Sequence, residues 1–577
     1  MRSSRHPGLV AALLAAALLF PALGRAPLLE PDEGRYADVS RAMLLTGDWL
    51  APRMNFIPNF GKPPLFFWLT AAAMRALGPT ELAARLVSAL SAVGLAALAV
   101  ALGRRALGLE GWAALLPGVV LVTSPLVFVL GRLCLADTLF ALLVAAAFTA
   151  FLGALGAEAP RRGLVAAGWG ALGLAVLAKG PAALAFPVLV FGAYLLPRAR
   201  RPRARRLFTP EGLALFLAVA LPWHVAMARA HSGWASIYLL QGHIRRVAAD
   251  PFGRAEPFWF YAPVVAAGFF PWVLFVPAGL RRAIAERGGG PGGSGRWFLA
   301  LFAVLPVLAL SLSVTKLPHY ILPVAPALAL LATDGALGAL PPEGPAARSW
   351  PRLLVALSVA AALGFLAVSA VDLGLLLPTP KLAEGVRLFE RPLQVALALL
   401  CLGLGVSAEL AKSRRPRWAL GSLAATTGAV LLLAALSLDR MDEWRGSKAV
   451  AGIVGRDLPP DARVVMLQRY HRGLPFYLGA PVVLFDSRVE MREVPPDLRD
   501  PELLLERDLS RLEAWLGGEH EVRLVVRGSS GLRLLERMGA DRPPLYRLGE
   551  VGDRLVLTNR ATAPGEMPFD PGRPRRR

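Results

Sequence analysis

Cysteine is scarce in this 577-residue chain, and charged side chains are few for its length. The two cysteines, Cys134 and Cys401, lie in or beside apolar runs, so we expect neither a disulfide framework nor a cysteine-based metal site. The sequence has no Gly-rich phosphate loop between a strand and a helix, and no short-period repeat. Charged residues make up 18% of the chain and hydrophobic residues 55%, with a mean hydropathy of +0.51. This composition excludes an ordinary soluble domain and indicates an integral membrane protein.

Apolar runs that are long enough, or nearly long enough, to cross a bilayer recur along the first 437 residues. The first run follows Arg2 and Arg5 as a signal-peptide core would, but the small-residue cleavage signal at 22–24 is weak, so we interpret the run as a spanning helix. Several later runs are short or contain proline. About thirteen membrane-spanning helices are predicted, near residues 8–24, 81–102, 112–131, 134–154, 163–179, 182–197, 210–229, 257–279, 297–314, 318–338, 352–375, 392–411 and 417–437.

The placement of the basic residues predicts the topology. A net charge of +22 would suggest a nucleic-acid partner for a soluble chain, but here the basic residues collect in alternate connections between the apolar runs. The positive-inside rule places those connections and the N-terminus in the cytoplasm and the C-terminus outside. We therefore expect contacts with membrane lipids and no nucleic-acid partner. The basic connections contain Arg2, Arg5, Arg104, Arg105, Arg161, Arg162, the stretch 198–206, Arg281, Arg282, Arg287, Arg348, Arg352, Lys412, Arg414, Arg415 and Arg417.

After about residue 437, short strand patterns replace the apolar runs. We predict a transmembrane domain over residues 1–437, with a first extracytoplasmic loop of amphipathic helices at 25–80. A small extracytoplasmic α/β domain follows over 438–560, and the Pro-, Gly- and Arg-rich residues 561–577 are predicted to be disordered. Within the α/β domain we predict strands at 463–468, 482–485 and 522–526, a helix at 500–516, and a hairpin at 545–559 that turns near Gly552 and Asp553.

The loop over residues 30–62 carries the first candidate site residues. Its many charges cannot lie in hydrocarbon, and its aromatic residues indicate that it packs into an ordered loop outside the membrane. Asp32 and Glu33 open this loop at the membrane boundary, where a partly desolvated carboxylate suits a general base. Because adjacent residues point in different directions, we expect only one of the two to reach a substrate. The alternative is that Asp32 serves only as a cap of the helix that follows.

Charged residues at the ends of later apolar runs form a second group. Arg132 and Asp137 bracket the start of one run, where each could extend to the membrane interface or pair with the other. Lys179 lies between two apolar runs without an acidic neighbour in the sequence, so its burial would be unfavourable unless the ammonium were paired or used. Gly180 and Pro181 follow it directly and are expected to end its helix.

Further basic, histidine and aromatic side chains belong to connections on the predicted outer side. They are His243 and Arg246 in one connection, and Lys316, His319 and Tyr320 in another. A single histidine without a second ligand at metal spacing is weak support for a metal site. Lysine and arginine side chains that converge on one outer cavity favour an anion, and phosphate is the lipid-borne anion we expect there.

Taken in chain order, these segments resemble the GT-C glycosyltransferases that use polyprenyl-phosphate sugars. The similar branch is that of the aminoarabinose transferases of lipid A, with protein O-mannosyltransferases more distant. The resemblance covers residues 28–330 well and the remainder loosely, and it implies a GT-C-like α-helical membrane fold. The segments that carry it are PDEGRYADVSRAMLLTGDWLAPRMN, GKPPLFFWLTA, ELAARLVSAL, RLCLADTLFAL, AKGP, GHIRRV with EPFWFY, and TKLPHYILP.

The resemblance also implies roles for individual residues. Asp32 would be the catalytic carboxylate of the first loop, and Asp137 would be a second acidic site. The donor phosphate and its cavity would be contacted by Lys62, Lys179, Arg246 and Tyr320. To this predicted substrate-binding set we add Glu33, Arg132, His243, Lys316 and His319.

Metal binding is one point at which this sequence departs from the resembling branch. That branch often has a glutamate before its KPP motif, implicated with a histidine in metal binding, whereas the position here is Gly61. His243 is retained, but a site that lacks one of its two ligands binds less firmly. We therefore predict no tightly bound zinc or other cofactor. A divalent metal is compatible with the implied reaction but is not required by it.

The implied reaction is an inverting sugar transfer at the outer face of a bacterial cytoplasmic membrane. The donor would be a polyprenyl-phosphate sugar, and the acceptor a lipid A-like glycolipid, another glycan or a protein. Basic residues would stabilise the leaving phosphate, while Asp32 would deprotonate an acceptor hydroxyl or orient an acceptor phosphate.

Two other classes of function stay open. A transporter or flippase for a lipid-linked anion would use a similar basic cavity but needs polar groups at mid-membrane depth. A structural scaffold that displays the outer domain would leave the long first loop unexplained. The predicted position of the charges at outer helix ends favours the enzyme.

Overall fold

The structure, a computed structural model, divides the chain into two compact units. The membrane unit consists of Met1–Leu23, Arg85–Ala230 and Tyr238–Leu438. The mixed unit, which contains both helices and strands, consists of Gly24–Ala84, His231–Ile237 and Asp439–Arg577. The residues described are 6–156, 161–197, 201–239, 255–287, 291–339, 345–370, 387–438, 447–486, 498, 500–505, 508–539 and 542–570.

Long apolar helices make up the membrane unit. Hydrocarbon offers no hydrogen-bond partners to the backbone, so apolar runs of this length satisfy their backbone groups internally as helices. The α-helical, multi-pass membrane fold predicted from the sequence is therefore confirmed. Among the described residues, nine helices are long and apolar enough to cross a membrane: Glu81–Leu107, Ala136–Leu155, Arg162–Lys179, Pro210–Ala230, Ser294–Leu312, Pro318–Gly338, Trp350–Ala370, Glu390–Lys412 and Pro416–Leu436.

Two bent helix pairs add to these candidate spans. Ala113–Val122 with Pro125–Gly131 bends by 64°, and Phe258–Gly268 with Trp272–Ala285 bends by 109°. Proline stands at the start of the second helix of the first pair and just before that of the second, where it cannot continue a preceding helix. The number thirteen stays a prediction. The described helices reach it only if both pairs and the shorter apolar helices Pro7–Leu19 and Pro181–Leu195 also cross.

The helix that carries Lys179 ends where the sequence predicts. Helix Arg162–Lys179 stops at Gly180, whose φ of +104° is unfavourable for residues with a side chain. Pro181 then begins a short 3-10 helix, which leads into helix Ala185–Leu195. The lysine is thus the last residue of its helix, where the helix dipole favours a positive charge.

Close helix contacts and a buried ion pair stabilise the membrane unit. On helix Ala325–Gly338, a Cβ atom at Gly335 would lie 2.1 Å from the carbonyl oxygen of Phe275, so only glycine allows this approach. The neighbouring residue Asp334 is buried, and Arg296 Nε donates to both of its carboxylate oxygens at 3.1 Å. Pairing removes the penalty that a lone buried carboxylate would carry.

The first loop folds into two helices and a tight hairpin within the mixed unit. The helices are Asp32–Thr46 and Leu65–Leu77, and between them the strands β1 (Arg53–Met54) and β2 (Ile57–Pro58) pair antiparallel. The turn residues Asn55 and Phe56 have φ values of +52° and +63°, the combination that two-residue hairpin turns require. Tyr36 and Phe66 pack edge to face between the two helices, with ring centroids 5.5 Å apart.

A six-stranded sheet forms the centre of the C-terminal part of the mixed unit. Its strand order is β5-β4-β3-β6-β8-β7; the first four strands in that order pair in parallel, and β8 pairs antiparallel with both β6 and β7. Val465, Leu524 and Leu557 are buried on one face of this sheet. The strands are β3 (Arg463–Leu467), β4 (Val483–Phe485), β5 (Leu504–Leu505), β6 (Val522–Arg527), β7 (Tyr546–Val551) and β8 (Arg554–Thr558), with helices Ser447–Val454, Leu474–Leu478, Leu509–Leu516 and Gly528–Arg537.

Most secondary structure of this sheet follows the sequence prediction. The three predicted strands correspond to β3, β4 and β6, and β7 and β8 form the predicted hairpin around Gly552, whose φ is +58°. The helix predicted at 500–516 is wrong in its first half. Residues 504–505 pair with β4 as an edge strand, and the helix begins only after Asp508, whose carboxylate accepts a hydrogen bond from the backbone N–H of Arg511.

Contacts within the mixed unit join the first loop to the C-terminal sheet region. The side chain of Asn55 pairs with both backbone groups of Val482, donating to the carbonyl at 2.7 Å and accepting from the N–H at 2.8 Å. The Glu30 carboxylate accepts from the Ser447 hydroxyl and from the N–H of Gly473 at 2.7 Å. The prediction assigned residues 25–80 to the membrane domain. In the structure they share a compact unit with residues that follow more than 400 positions later.

Candidate active site

An ion pair between two helix ends forms the centre of the candidate site in the membrane unit. Asp137 lies in the first turn of helix Ala136–Leu155, and Lys179 is the last residue of helix Arg162–Lys179. The Lys179 ammonium donates to the Asp137 carboxylate, and the two side chains are only 14% and 3% exposed. The sequence left open whether Lys179 is paired, and the structure pairs it with a residue 42 positions away. Each charge also has the sign that its helix end favours.

Aromatic rings and a histidine surround this pair. The Lys179 Nζ atom lies 5.3 Å from the ring centroid of Phe140 and 5.0 Å from that of Tyr320, distances at which a ring face attracts a cation. His319 Nε2 is 4.0 Å from Asp137 Oδ1, and its ring packs edge to face against Tyr320 at 5.0 Å. Four predicted site residues therefore converge in the membrane unit.

Two other predicted residues of the membrane unit bind backbone carbonyls. Arg132 is buried and donates to the carbonyl of Leu19, with its guanidinium 5.4 Å from the Phe128 ring, rather than pairing with Asp137. Lys316 is 3% exposed, and its ammonium donates to the carbonyls of Glu256 at 2.7 Å and Ser313 at 2.6 Å. These contacts tie separate segments together. A direct part for either side chain in substrate binding stays a prediction.

The two adjacent carboxylates of the first loop have different surroundings. Glu33 is 2% exposed, and its Oε2 accepts from the backbone N–H of Leu29 at 2.9 Å, which closes the start of the helix. Asp32 is half-buried in the first helical turn and accepts no hydrogen bond from any described residue. The N-cap position is held by Pro31, so capping does not account for Asp32. Of the two residues, Asp32 is the more exposed, and its role as the catalytic carboxylate stays a prediction.

The segment before Lys62 is held by polar contacts that the sequence prediction missed. Asn59 Oδ1 accepts from the N–H of Gly61 at 3.1 Å and from the Arg35 guanidinium at 3.4 Å, which sets the turn that leads to Lys62. Lys62 itself is half-buried. An asparagine two residues before a glycine is a common turn signal, so this contact could have been predicted.

Asp38 is a second residue that the sequence prediction missed. It is 1% exposed and accepts a hydrogen bond from the N–H of Asn55 at 2.7 Å. Burial raises the pKa of its carboxyl to about 7, against the smaller lowering effects of the Asn55 hydrogen bond and the Arg41 charge. In the membrane unit, Phe140 was also missed, although its position three residues after Asp137 places both on one helix face.

The structure does not test every predicted site residue. His243 and Arg246 are outside the described residues. Within the described ranges, no group of three His, Cys, Asp or Glu side chains is arranged to hold a metal ion. Gly61 supplies no side-chain ligand, so the first loop does not fit the two-ligand metal site of the resembling branch at that position. That no zinc or other cofactor is tightly bound stays a prediction.

Comparison with known proteins supports the resemblance. The model of the family described as dolichyl-phosphate-mannose-protein mannosyltransferase matches residues 61–225. Two relatives are named undecaprenyl phosphate-alpha-4-amino-4-deoxy-L-arabinose arabinosyl transferase. The one from Erwinia tasmaniensis is 34% identical over 340 residues, covering 58% of this chain and 60% of that protein. The one from Pectobacterium carotovorum is 34% identical over 378 residues, covering 63% of this chain and 65% of that protein. The chain thus matches less than two thirds of the length of either relative.

A solved structure is similar over nearly the whole chain. ArnT from Cupriavidus metallidurans, crystallised with undecaprenyl phosphate, has 25% sequence identity and a TM-score of 0.80, covering 96% of this chain and 98% of that one. The same protein in its apo state has a TM-score of 0.82 at 24% identity. Together with the candidate spans, these similarities confirm the predicted fold class and indicate a multi-pass protein of a bacterial inner membrane.

Proposed function

We propose that this chain, a GT-C protein similar to the aminoarabinose transferases, transfers a sugar from a polyprenyl-phosphate donor to an acceptor of the cell envelope. The relatives are named for undecaprenyl phosphate and aminoarabinose, and the similar crystal structure contains undecaprenyl phosphate. An undecaprenyl-phosphate sugar is therefore the donor class to test first. The proposed acceptors are a lipid A-like glycolipid, another glycan or a protein.

The observation that carries this proposal is the Asp137–Lys179 pair beside Tyr320 and His319. A lysine ammonium held in poorly solvated surroundings interacts strongly with a phosphate, because little water competes for its hydrogen bonds. Asp137 holds the ammonium in place in the absence of donor. In the proposed reaction, Lys179 also binds the phosphate oxygens of the donor, and its charge stabilises the phosphate as it leaves.

The proposed transfer is a single displacement at the anomeric carbon. The acceptor oxygen forms the new bond as the bond between the anomeric carbon and the phosphate oxygen breaks, and the lipid phosphate leaves with the electron pair. Asp32 takes the proton of an acceptor hydroxyl as general base. An acceptor that is already a phosphate has no proton to lose, and Asp32 then orients it. One displacement inverts the anomeric configuration.

The proposed orientation places the N-terminus in the cytoplasm and the sheet of the mixed unit outside the cell membrane. Support comes from the alternation of basic connections along the chain, because arginine-rich connections remain in the cytoplasm during insertion. The sugar transfer then takes place at the outer face of the inner membrane.

A direct assay tests the proposed function. Purified full-length protein is incubated with a labelled undecaprenyl-phosphate aminoarabinose and with extracted envelope glycolipids, and products are separated by mass spectrometry. We expect a labelled product and free undecaprenyl phosphate in equal amounts. Glycolipids from cells with and without the gene should differ by the same sugar. If neither this donor nor any other polyprenyl-phosphate sugar is consumed with envelope glycolipid, glycan or protein acceptors, the proposal fails.

A further inference from the structure

A cleft lined by arginine and tryptophan lies at the ends of three candidate membrane-spanning helices. It has a volume of about 440 Å³, and its lining is Trp112, Arg414, Arg415, Pro416, Arg417 and Trp418. These residues are here called the basic cleft. Trp112 belongs to the connection after helix Glu81–Leu107. The others belong to the turn after helix Glu390–Lys412 and to the start of helix Pro416–Leu436. None of them belongs to the candidate active site.

The arginines of the basic cleft carry charge that the described part of the protein leaves unneutralised. Arg414, Arg415 and Arg417 are all exposed, and no described carboxylate lies within ion-pair distance of them. The nearby Lys412 differs, because it pairs with Glu409 at 3.4 Å. Three unpaired guanidinium groups in one small cleft repel one another, and an anionic ligand would relieve this repulsion.

The backbone at Arg414 has the left-handed conformation that often ends a helix. Its φ is +56°, and its N–H donates to the carbonyl of Ala411 at 3.1 Å, while the N–H of Arg415 donates to that of Leu410 at 2.9 Å. These bonds close the end of helix Glu390–Lys412 at a position where glycine is the usual residue. An arginine therefore occupies a position where glycine would be less strained.

The two tryptophans give the cleft apolar surface beside its charge. Trp112 is 43% exposed and Trp418 57% exposed, and the Arg417 guanidinium lies 5.5 Å from the Trp418 ring. Tryptophan at the ends of spanning helices lies at the level of the lipid headgroups. A ligand that matches both features has an anionic head and an apolar body.

We propose that the basic cleft binds the phosphate headgroup of an anionic phospholipid from the surrounding bilayer. Guanidinium groups bind phosphate oxygens through paired N–H donors, and the tryptophans contact the glycerol and upper acyl region. A zwitterionic headgroup fits less well, because its ammonium would lie among arginines. By the positive-inside rule this lipid belongs to the cytoplasmic leaflet, on the face opposite the proposed transfer. The proposal does not depend on the donor or the acceptor of the reaction.

Native mass spectrometry of the full-length protein tests the proposal. Protein purified in detergent is mixed with equal amounts of phosphatidylglycerol and phosphatidylcholine, and retained lipids are counted. The wild type should retain phosphatidylglycerol preferentially, and R414Q/R415Q/R417Q should retain at least fivefold less. The matched control R203Q/R205Q/R281Q removes three exposed arginines of other basic connections and should retain as much as the wild type. Equal losses in both variants would mean that net charge alone attracts lipid, and the proposal would be wrong.

Two further measurements keep the test independent of folding defects. R414G relieves the backbone strain while it removes one guanidinium, so we expect a folded protein with at least twofold weaker phosphatidylglycerol retention. Excess inorganic phosphate should leave the lipid bound, since it lacks the apolar body that contacts the tryptophans. Full retention in R414G, or complete displacement of the lipid by inorganic phosphate, would overturn a phospholipid site.

Discussion

At the scale of single residues, the unequal surroundings of Asp32 and Glu33 predict unequal effects of substitution. Asp32→Asn removes the proposed base and should lower sugar transfer by about 10²–10⁴-fold. Glu33→Gln keeps an oxygen that accepts from Leu29, so it should retain most of the activity. The measurement is the initial rate with labelled donor, normalised to inserted protein. Near-normal turnover of Asp32→Asn would remove this carboxylate from the mechanism.

Substitutions in the Asp137–Lys179 pair should affect thermal stability and donor binding differently. Lys179→Met or Asp137→Asn alone leaves one charge buried, at a cost of up to about 3–5 kcal/mol for a fully enclosed pair. The double variant leaves no lone charge, so its thermal stability should recover while its KM for the donor stays high. Thermal unfolding in detergent and donor titrations measure the two effects. Recovery of both stability and transfer in the double variant would show that the pair is structural only.

Asp38 predicts a pH-dependent stability of the mixed unit. Its pKa rises from 3.8 to about 7 on folding because it is buried, so the folded state binds the proton more tightly than the unfolded chain. The stabilisation from this proton is present below about pH 4 and is lost as pH rises through 7. Asp38→Asn keeps an acceptor for the Asn55 N–H without the charge.

The thermal midpoint of Asp38→Asn should therefore exceed that of the wild type more at pH 8 than at pH 5. His471 titrates in the opposite sense, because burial lowers its pKa to about 3, but it is common to both proteins and cancels in the difference. A midpoint difference that does not change with pH would contradict the raised pKa.

At the scale of secondary-structure elements, glycines in two helices of the membrane unit predict opposite outcomes. Gly335→Ala places a Cβ atom 2.1 Å from the Phe275 carbonyl oxygen, and such overpacking costs about 1–3 kcal/mol. Gly421→Ala meets no atom within 4 Å and replaces a poor helix former, so it should be neutral or stabilising by up to about 1 kcal/mol. Thermal unfolding compares the two variants. Equal stability of the two variants would mean that the structure accommodates a Cβ atom at position 335 without a loss of stability.

Elements also differ in how far local pattern predicts them. The hairpin of β7 and β8 follows from Gly552 and the strand patterns on either side, since a turn with positive φ needs only its own residues. The helix predicted at 500–516 failed in its first half because residues 504–505 are apolar in either conformation. The tertiary contact with β4 favours the strand over the helix at these residues.

At the scale of the whole molecule, the proposed topology predicts which surfaces are accessible from outside. In a chain with Cys134 and Cys401 replaced by serine, a single cysteine at exposed Ser510 should react with an impermeant maleimide in spheroplasts. A single cysteine at exposed Ser413 should react only after the membrane is permeabilised. The labelled fraction, read by gel shift, is the measurement. The reverse pattern would place the sheet of the mixed unit in the cytoplasm.

By itself, the sequence determined what depends on local composition. Apolar runs became helices because hydrocarbon provides no other partners for the backbone, and short alternating strands near the C-terminus formed a sheet. The motifs around Asp32, Lys179 and Tyr320 were sufficient to indicate the resemblance to the GT-C glycosyltransferases.

Only the tertiary structure decided which residues that are distant in the sequence come into contact. It paired Lys179 with Asp137 rather than leaving Asp137 to Arg132. It also joined residues 24–84 to the C-terminal part of the mixed unit through Asn55 and Glu30. The physical reason is that such partners are selected by helix and loop packing and by the need to satisfy buried polar groups. Neither condition can be predicted from the spacing of neighbouring residues in the sequence.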